Sequence, residues 1–436
     1  MPEFRELFIG RRGQKELTLE GKLVFQDGVR WGKFTIQRGK GIISKMDDNT
    51  DADIVLENSL IFPGFVDIHV HAREDPSGKW NYKEDYKTAG QAAVAGGITA
   101  FADMPNTPHP LISDKSLMKK APLTRKAGTP VLLYAAVGPG TRPLNENVPY
   151  KLFMGKSVGP LFFKERKELR KTLSSYHNMH VSFHCEDPDI LKENEHRPEH
   201  SERRPPEAEI NAVELALELI EEFELQGKLC HISTKEGMEL IERAKRSGVK
   251  VEMEVTPHHL LFEDNGNGVE FPKCLTQGDE PLPQRFFQVN PPIRNGRDRR
   301  ALLSAFANGK IDYLATDHAP HTPQEKQEGK SGLTHLDTYG NVVGCLLEMG
   351  IRPEVIVSAS SLKPAEFMGK FMPLKRGVEK GNVANITVLT REKTTVRRES
   401  LFTKAGWSPF QGCTFPWSVK FTMIRGRAWA TRVNEK

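Results

Sequence analysis

Between residues 65 and 362 this sequence repeats one rhythm, in which short apolar runs alternate with stretches of helical period, and that rhythm limits its fold more than any other feature. Eight runs can be read: FVDIHVH (65–71), ITAFADM (98–104), PVLLYAAV (130–137), YKLFM (150–154), HVSFHC (180–185), KLCHIS (228–233), VKVEMEV (249–255) and IDYLATD (311–317). Amphipathic segments such as KEDYKTAGQAAVAGG, KEGMELIERAKRSG and DRRALLSAFANG follow several of them. An apolar run this short reads as a strand buried on both faces, and a helix after each strand makes the sheet parallel. Eight such units predict an α/β protein built on a (β/α)8 TIM barrel.

The two ends of the chain read differently. KLVFQDG, GKFTIQRGKGIISK and DADIVLENSLIFPG before the barrel, and GVEKGNVANITVLT and SVKFTMIRGRAWATRV after it, alternate as strands broken by turns. The expected division is 1–62 and 371–436 as two parts of one small β domain, with 63–370 as the barrel. Hydrophobic residues at 38% and charged residues at 27% suit a soluble globular chain. The 62 basic and 57 acidic residues are interspersed, so nucleic-acid binding is not expected. No stretch approaches the roughly 18 apolar residues of a membrane span, and MPEFRELFIG lacks the apolar core of a signal peptide, so a cytoplasmic protein is expected. Five cysteines without CxxC spacing predict neither a disulfide framework nor a cysteine zinc site, but reduced, mostly buried thiols.

In a TIM barrel the carboxyl ends of the strands carry the active site. His69 and His71 close the first run, and strand residues two apart point to the same side, so both imidazoles can reach one ion. HxH alone is a weak signal. Lys151, His184, His231 and Asp317 stand at comparable ends of runs four, five, six and eight. A lone strand-end histidine can be a hydrogen-bonded core residue and Asp317 a helix cap. Together the six make the ligand set of a two-metal hydrolytic centre.

A protonated lysine has no lone pair for a metal. A neutral amine at Lys151 could add carbon dioxide, and the two oxygens of the resulting carbamate could bridge two cations. Lys156, beyond the same apolar run, is expected in a loop.

Several blocks carry a family resemblance: DIHVHAR (67–73), YKED (82–85), AAVAGGITAFADMPNTP (92–108), KLFMG (151–155), HCED (184–187), RPPEAE (204–209), HISTKEG (231–237), EVTPHHL (254–260), NPPIR (290–294), ATDHAPHTPQEK (315–326) and SPFQGCTFPWSVKFTMIRG (408–426). Through them the chain resembles the dihydroorotases, in the cyclic amidohydrolase group of the amidohydrolase superfamily. HxH and the terminal aspartate are shared with allantoinases and dihydropyrimidinases, whereas MPNTP and TDHAPHxxxxK are more selective. The resemblance implies that Arg73, Asn106 and His321 hold a substrate carboxylate, a role suited to the planar guanidinium fork. Asn290 would touch the substrate ring. Read singly, these residues also fit a surface ion pair, a turn and a solvated loop.

The same resemblance implies interconversion of L-dihydroorotate and N-carbamoyl-L-aspartate in pyrimidine synthesis, with two zinc ions per chain bridged by N6-carboxylated Lys151. His69, His71, Lys151 and Asp317 would hold one ion and Lys151, His184 and His231 the other, with Asp317 as general base and acid. A homodimer is a family-level expectation. The alternative is an allantoinase or a dihydropyrimidinase of hydantoinase type, which needs no carboxylate ligand. A metal-free scaffold would lack ligands, and all six are here.

Departures from the family pattern are Ala72 in place of a bulky aliphatic residue, the insertion at 75–82, SGLTHLDT at 331–338 and a long excursion at 263–287, expected as a loop or hairpin. His258 and His259, adjacent and therefore opposed in an extended chain, are expected to be structural. Cys185 should face away from the metals, and the charged stretch 186–204 should be a solvated loop.

Overall fold

The computed structural model describes residues 5–7, 14–155, 161–266, 268–278, 282–374 and 377–430; Lys156 lies outside them. Strands β1 (Arg5–Leu7), β2 (Glu16–Phe25), β3 (Gly28–Gln37), β4 (Ile42–Met46) and β5 (Ile54–Pro63) precede the barrel. β2 and β3 form an antiparallel pair from Glu16↔Gln37 to Phe25↔Gly28, and β5 runs parallel to β2.

The barrel staves are β6 (Phe65–Val70), β7 (Ile98–Asp103), β8 (Val131–Leu133) with β9 (Ala135–Val137), β10 (Tyr150–Phe153), β11 (His180–His184), β12 (Gln226–Leu229), β13 (Val251–Val255) and, after the antiparallel hairpin β14 (Glu263–Asp264) and β15 (Val269–Glu270), β16 (Tyr313–Leu314). Each of the eight apolar runs overlaps a stave, although β12 shares only residues 228–229 with its run and β16 only 313–314. β6-β7-β8 and β9-β10-β11-β12-β13-β16 are parallel arrays. Run three is split at Tyr134, whose N–H turns to the Asp103 carbonyl at 3.1 Å. The last stave meets the first through a parallel bridge between Val70 and His318.

Helices start where the sequence offers caps. Asp85 and Thr88 form a capping box on Tyr86–Ala95, and Thr234 caps Lys235–Arg246 through the N–H of Gly237. In Pro206–Glu222 the buried stripe of Ala212, Val213, Ala216, Leu219 and Ile220 follows helical spacing, and a leucine buried this completely contributes roughly 1.5–3 kcal/mol. Ile68, Ala102, Leu132, Tyr134 and Tyr313 cluster with Phe367 and Met368 of helix Lys363–Gly369. Lys151 pairs in register with Ser182, and Ser182 with Lys228, so the three share a sheet face.

The tail adds β17 (Ile386–Thr390), β18 (Thr394–Thr395), β19 (Thr414–Phe415), β20 (Ser418–Ile424) and β21 (Arg427–Ala430). One sheet in the order β1-β21-β20-β17-β5-β2-β3-β4 joins both chain ends, as expected. The stretch 396–415 behaves differently. Leu401, Phe402, Trp407, Phe410 and Phe415 join the barrel's apolar core instead of the small sheet's, because the barrel loops offer them the larger surface to bury.

The expectation of five reduced cysteines does not hold. Cys274, in the 263–287 excursion, and Cys345, in helix Tyr339–Glu348, form a disulfide across 71 residues with their Cα atoms 6.0 Å apart. Spatial proximity decides such pairing, and sequence spacing does not reveal it. Cys185, Cys230 and Cys413 are free and buried. No helix among the described residues is long and apolar enough to cross a membrane.

Candidate metal centre and the cationic corner beside it

His69, in β6, and His71, just past its end, reach the same atom. Their Nε2 atoms lie 3.2 and 3.1 Å from Oδ1 of Asp317, delivered by the last stave. The opposite ring nitrogens are committed: His69 Nδ1 faces Glu254 Oε1 at 2.6 Å, and His71 Nδ1 faces Asn106 Oδ1 at 2.8 Å. Each of those oxygens accepts, so each Nδ1 donates and each Nε2 of the neutral rings presents a lone pair. Burial drives both histidines well below their usual pKa, reinforced at His69 by Lys151 and at His71 by Arg73. Two imidazole lone pairs and a carboxylate oxygen, all buried at van der Waals range, repel one another unless a cation stands among them. The donor set fits a divalent metal. Burial also pushes the Asp317 carboxyl up to about 7, against the pull of Lys151.

His184 and His231 form a second group. His184 Nδ1 lies 3.0 Å from His231 Nε2, while His184 Nε2 donates to Glu186 Oε2 at 2.8 Å. Glu186 is wholly buried and takes a fork from Arg204, Nε at 2.9 Å and Nη2 at 2.6 Å. Burial opposes its ionisation, but Arg204 and His184 outweigh burial and hold it below the carboxylate range. The His231 Nδ1 is buried without a partner. The His69 and His231 rings are 5.4 Å apart, so the two groups adjoin.

Lys151 is fully buried between them. Its Nζ meets Cys230 Sγ at 2.9 Å and the Phe153 ring centroid at 5.4 Å, and it forms no ion pair with a carboxylate among the described residues. Another possible group, His69, Cys230 and Glu254, is the poorer one. Glu254 is already occupied by His69, Lys228 and the His231 N–H, and burial raises the Cys230 thiol.

Arg73, His231 and Asp317 have φ of 62°, 38° and 47°. Positive φ costs a non-glycine residue of order 1–3 kcal/mol, and such strain gathers at functional sites.

Arg73 is 6% exposed, with Nη2 at 3.5 Å from His321 Nε2 and Nε buried without a partner. Burial lowers its pKa to about 10. Asn106, its oxygen given to His71, keeps its amide N–H groups for an acceptor. His321 is held by Trp407 Nε1, which donates to its carbonyl at 2.7 Å. Asn290 has its Oδ1 buried without a partner. Lys151, expected at a strand end, is instead the second residue of β10 (Tyr150–Phe153), inside the strand; the closest contacts among the other expected residues bring together His69, His71, Asp317 and Asn106, then His184 and His231, then Arg73 and His321.

Two local expectations change. His258 and His259 lie in a helical turn, Pro257–Leu261, and both are buried rather than opposed. His259 Nε2 donates to the Pro291 carbonyl at 3.1 Å, and His258 stacks on His335. The 186–204 stretch is solvated only in its middle, since Glu186 is buried and Arg204 is drawn in to pair with it. Glu254, Lys228, Glu186 and Arg204 received no role from the sequence. The signal for the first two was a charged residue inside an apolar run.

The Amidohydrolase family model matches residues 60–429. A dihydroorotase of Pyrococcus furiosus is 33% identical over 419 residues, covering 94% of this chain and 92% of the relative, and one of Thermococcus kodakarensis is 33% identical with 94% and 93% covered. The L-hydantoinase (dihydropyrimidinase) of Arthrobacter aurescens superposes with a TM-score of 0.81 at 22% identity, covering 95% of this chain and 96% of that one, and so shares the fold.

Proposed function

The chain belongs to the amidohydrolase family, among its dihydroorotases, and we propose on that premise that it interconverts L-dihydroorotate and N-carbamoyl-L-aspartate. One observation carries this reading over an allantoinase or dihydropyrimidinase: Arg73 is a buried guanidinium with no ion-pair partner among the described residues, its Nε unbonded, beside the metal-type donor set. A buried cation of that kind calls for an anionic group, and dihydroorotate brings a carboxylate.

Two divalent cations, zinc by expectation, would be held by His69, His71, Asp317 and Lys151 and by His184, His231 and Lys151, with Lys151 carboxylated. Bound there, they would supply Lewis acidity toward the ring carbonyl and the means to ionise water near neutral pH. Arg73, Asn106 and His321 hold the substrate carboxylate, and Asn290 meets the ring. Asp317 accepts the proton of the attacking water. As the ring C–N bond breaks, Asp317 returns that proton to the departing nitrogen, which becomes the NH2 of the carbamoyl group. Cyclisation is the reverse.

The test is turnover in both directions by purified protein, with and without added zinc, alongside dihydrouracil and allantoin. Turnover of dihydroorotate by metal-loaded protein supports the reading. Turnover of only the carboxylate-free compounds replaces it with the alternative.

A further inference from the structure

The carboxylate behind His184 is fixed by a residue remote from it in sequence. His184 closes β11, and its Nε2 donates to Glu186 Oε2 at 2.8 Å, so the lone pair with which a ligating imidazole binds lies on Nδ1, facing His231 Nε2 at 3.0 Å. The same Oε2 accepts from Arg204 Nη2 at 2.6 Å, and Oε1 accepts from Arg204 Nε at 2.9 Å. In the first group both histidines are backed, His69 by Glu254 and His71 by Asn106, whereas His231 Nδ1 has no partner among the described residues. The aim of the second group therefore rests on His184, and through it on Glu186 and Arg204.

Arg204 is itself seated by the block that carries Asn290. Its carbonyl accepts from Arg294 Nη1 at 2.6 Å, and Arg294 Nε donates to Ser233 Oγ, just past His231, at 3.1 Å. His200 opens the short helix His200–Arg203 that Arg204 closes, and its Nε2 donates to the Val289 carbonyl at 3.0 Å. The guanidinium is held in place before any ligand arrives, and its planar fork matches the two oxygens of Glu186. Without that fork, a buried carboxylate met by one imidazole N–H keeps lone pairs that only water can fill. Glu186 then gains by turning toward solvent, which leaves the His184 N–H unpaired and the ring free to rotate or to carry its proton on Nδ1.

We propose that Arg204 is a positioning residue for the second cation: seated by Arg294 and His200, it locks Glu186 behind His184 and so sets the affinity of the His184–His231 group separately from that of the His69–His71–Asp317 group. The inference rests on the two-cation reading given above.

The experiment is equilibrium dialysis against zinc-buffered solutions, with the metal-to-protein ratio read at each free zinc concentration. It compares wild type, Arg204→Met, Arg204→Lys and Glu186→Gln, each checked for native circular dichroism. Wild type should bind two equivalents. In Arg204→Met the second step should weaken by about 10- to 100-fold and the first by less than about threefold. Glu186→Gln should do the same, since one amide oxygen cannot serve the donors of both Arg204 and His184. Arg204→Lys, which keeps the charge without the fork, should lie between wild type and Arg204→Met. If Arg204→Met does not fold, Glu186→Gln and Arg204→Lys decide the matter. Two equivalents bound as tightly as in wild type, or both steps weakened alike, overturn the proposal and leave the two-cation reading intact. A wild type that never exceeds one equivalent overturns that reading, and the role of Arg204 with it.

Discussion

Glu254 Oε1 lies 2.6 Å from Nδ1 of His69, and the other oxygen of the same buried carboxylate takes the Lys228 ammonium. The carboxylate thereby fixes which nitrogen of His69 faces Asp317. Partners of this kind behind a ligating histidine tune metal affinity, and Glu254→Gln should weaken metal binding by about 10- to 100-fold. Chelator competition measures it; an unchanged affinity would leave Glu254 as the partner of Lys228 alone.

Lys151→Ala should lose most bound metal and activity, and a short carboxylic acid supplied in solution should restore part of both by standing in for the carbamate. Metal analysis of the purified variant is the check. Full metal content and full rate would remove Lys151 from the centre.

Asp317→Asn keeps the shape and an oxygen but removes the proton acceptor, so kcat should fall by roughly 10² to 10⁴ with a smaller change in KM. Metal content is measured on the same sample, because ligand and base are one residue. An unchanged kcat would assign the proton to another group.

Arg73→Met should cost roughly 2–5 kcal/mol in kcat/KM for dihydroorotate, the range for truncating one partner of a desolvated charge pair. Dihydrouracil, without the carboxylate, is the control. Equal losses on the two compounds would give Arg73 a role in the fold only.

Asp337 accepts from the N–H groups of Phe402 at 2.6 Å and Thr403 at 3.2 Å. Burial raises its carboxyl from 3.8 to about 7 despite those bonds. A raised folded-state pKa means that the folded protein binds this proton more tightly than the unfolded chain. The contribution is complete at low pH and is lost as pH rises through about 7. Asp337→Asn cannot ionise, so relative to wild type it should gain stability as pH rises from about 4 to about 7 and keep that gain above. Urea midpoints across that range measure the difference, and a constant offset would show that Asp337 does not titrate there.

The eight staves were legible because a strand buried on both faces must be apolar along its length, and that condition is local. The convergence of His69 and His71 was legible for the same reason, since period two is a property of one strand. The family motifs extended this to Arg73, Asn106 and His321. What tertiary structure decided is which residues, remote in sequence, meet. Register across strands sets Lys228 and Glu254 behind His69, and barrel closure brings Asp317 to the first strand. Packing of the tail carries Trp407 to His321, a fold-back joins Arg204 to Glu186, and Cys274 reaches Cys345. Periodicity constrains the face a side chain occupies, whereas its partner depends on how the chain closes on itself, and no local pattern encodes that.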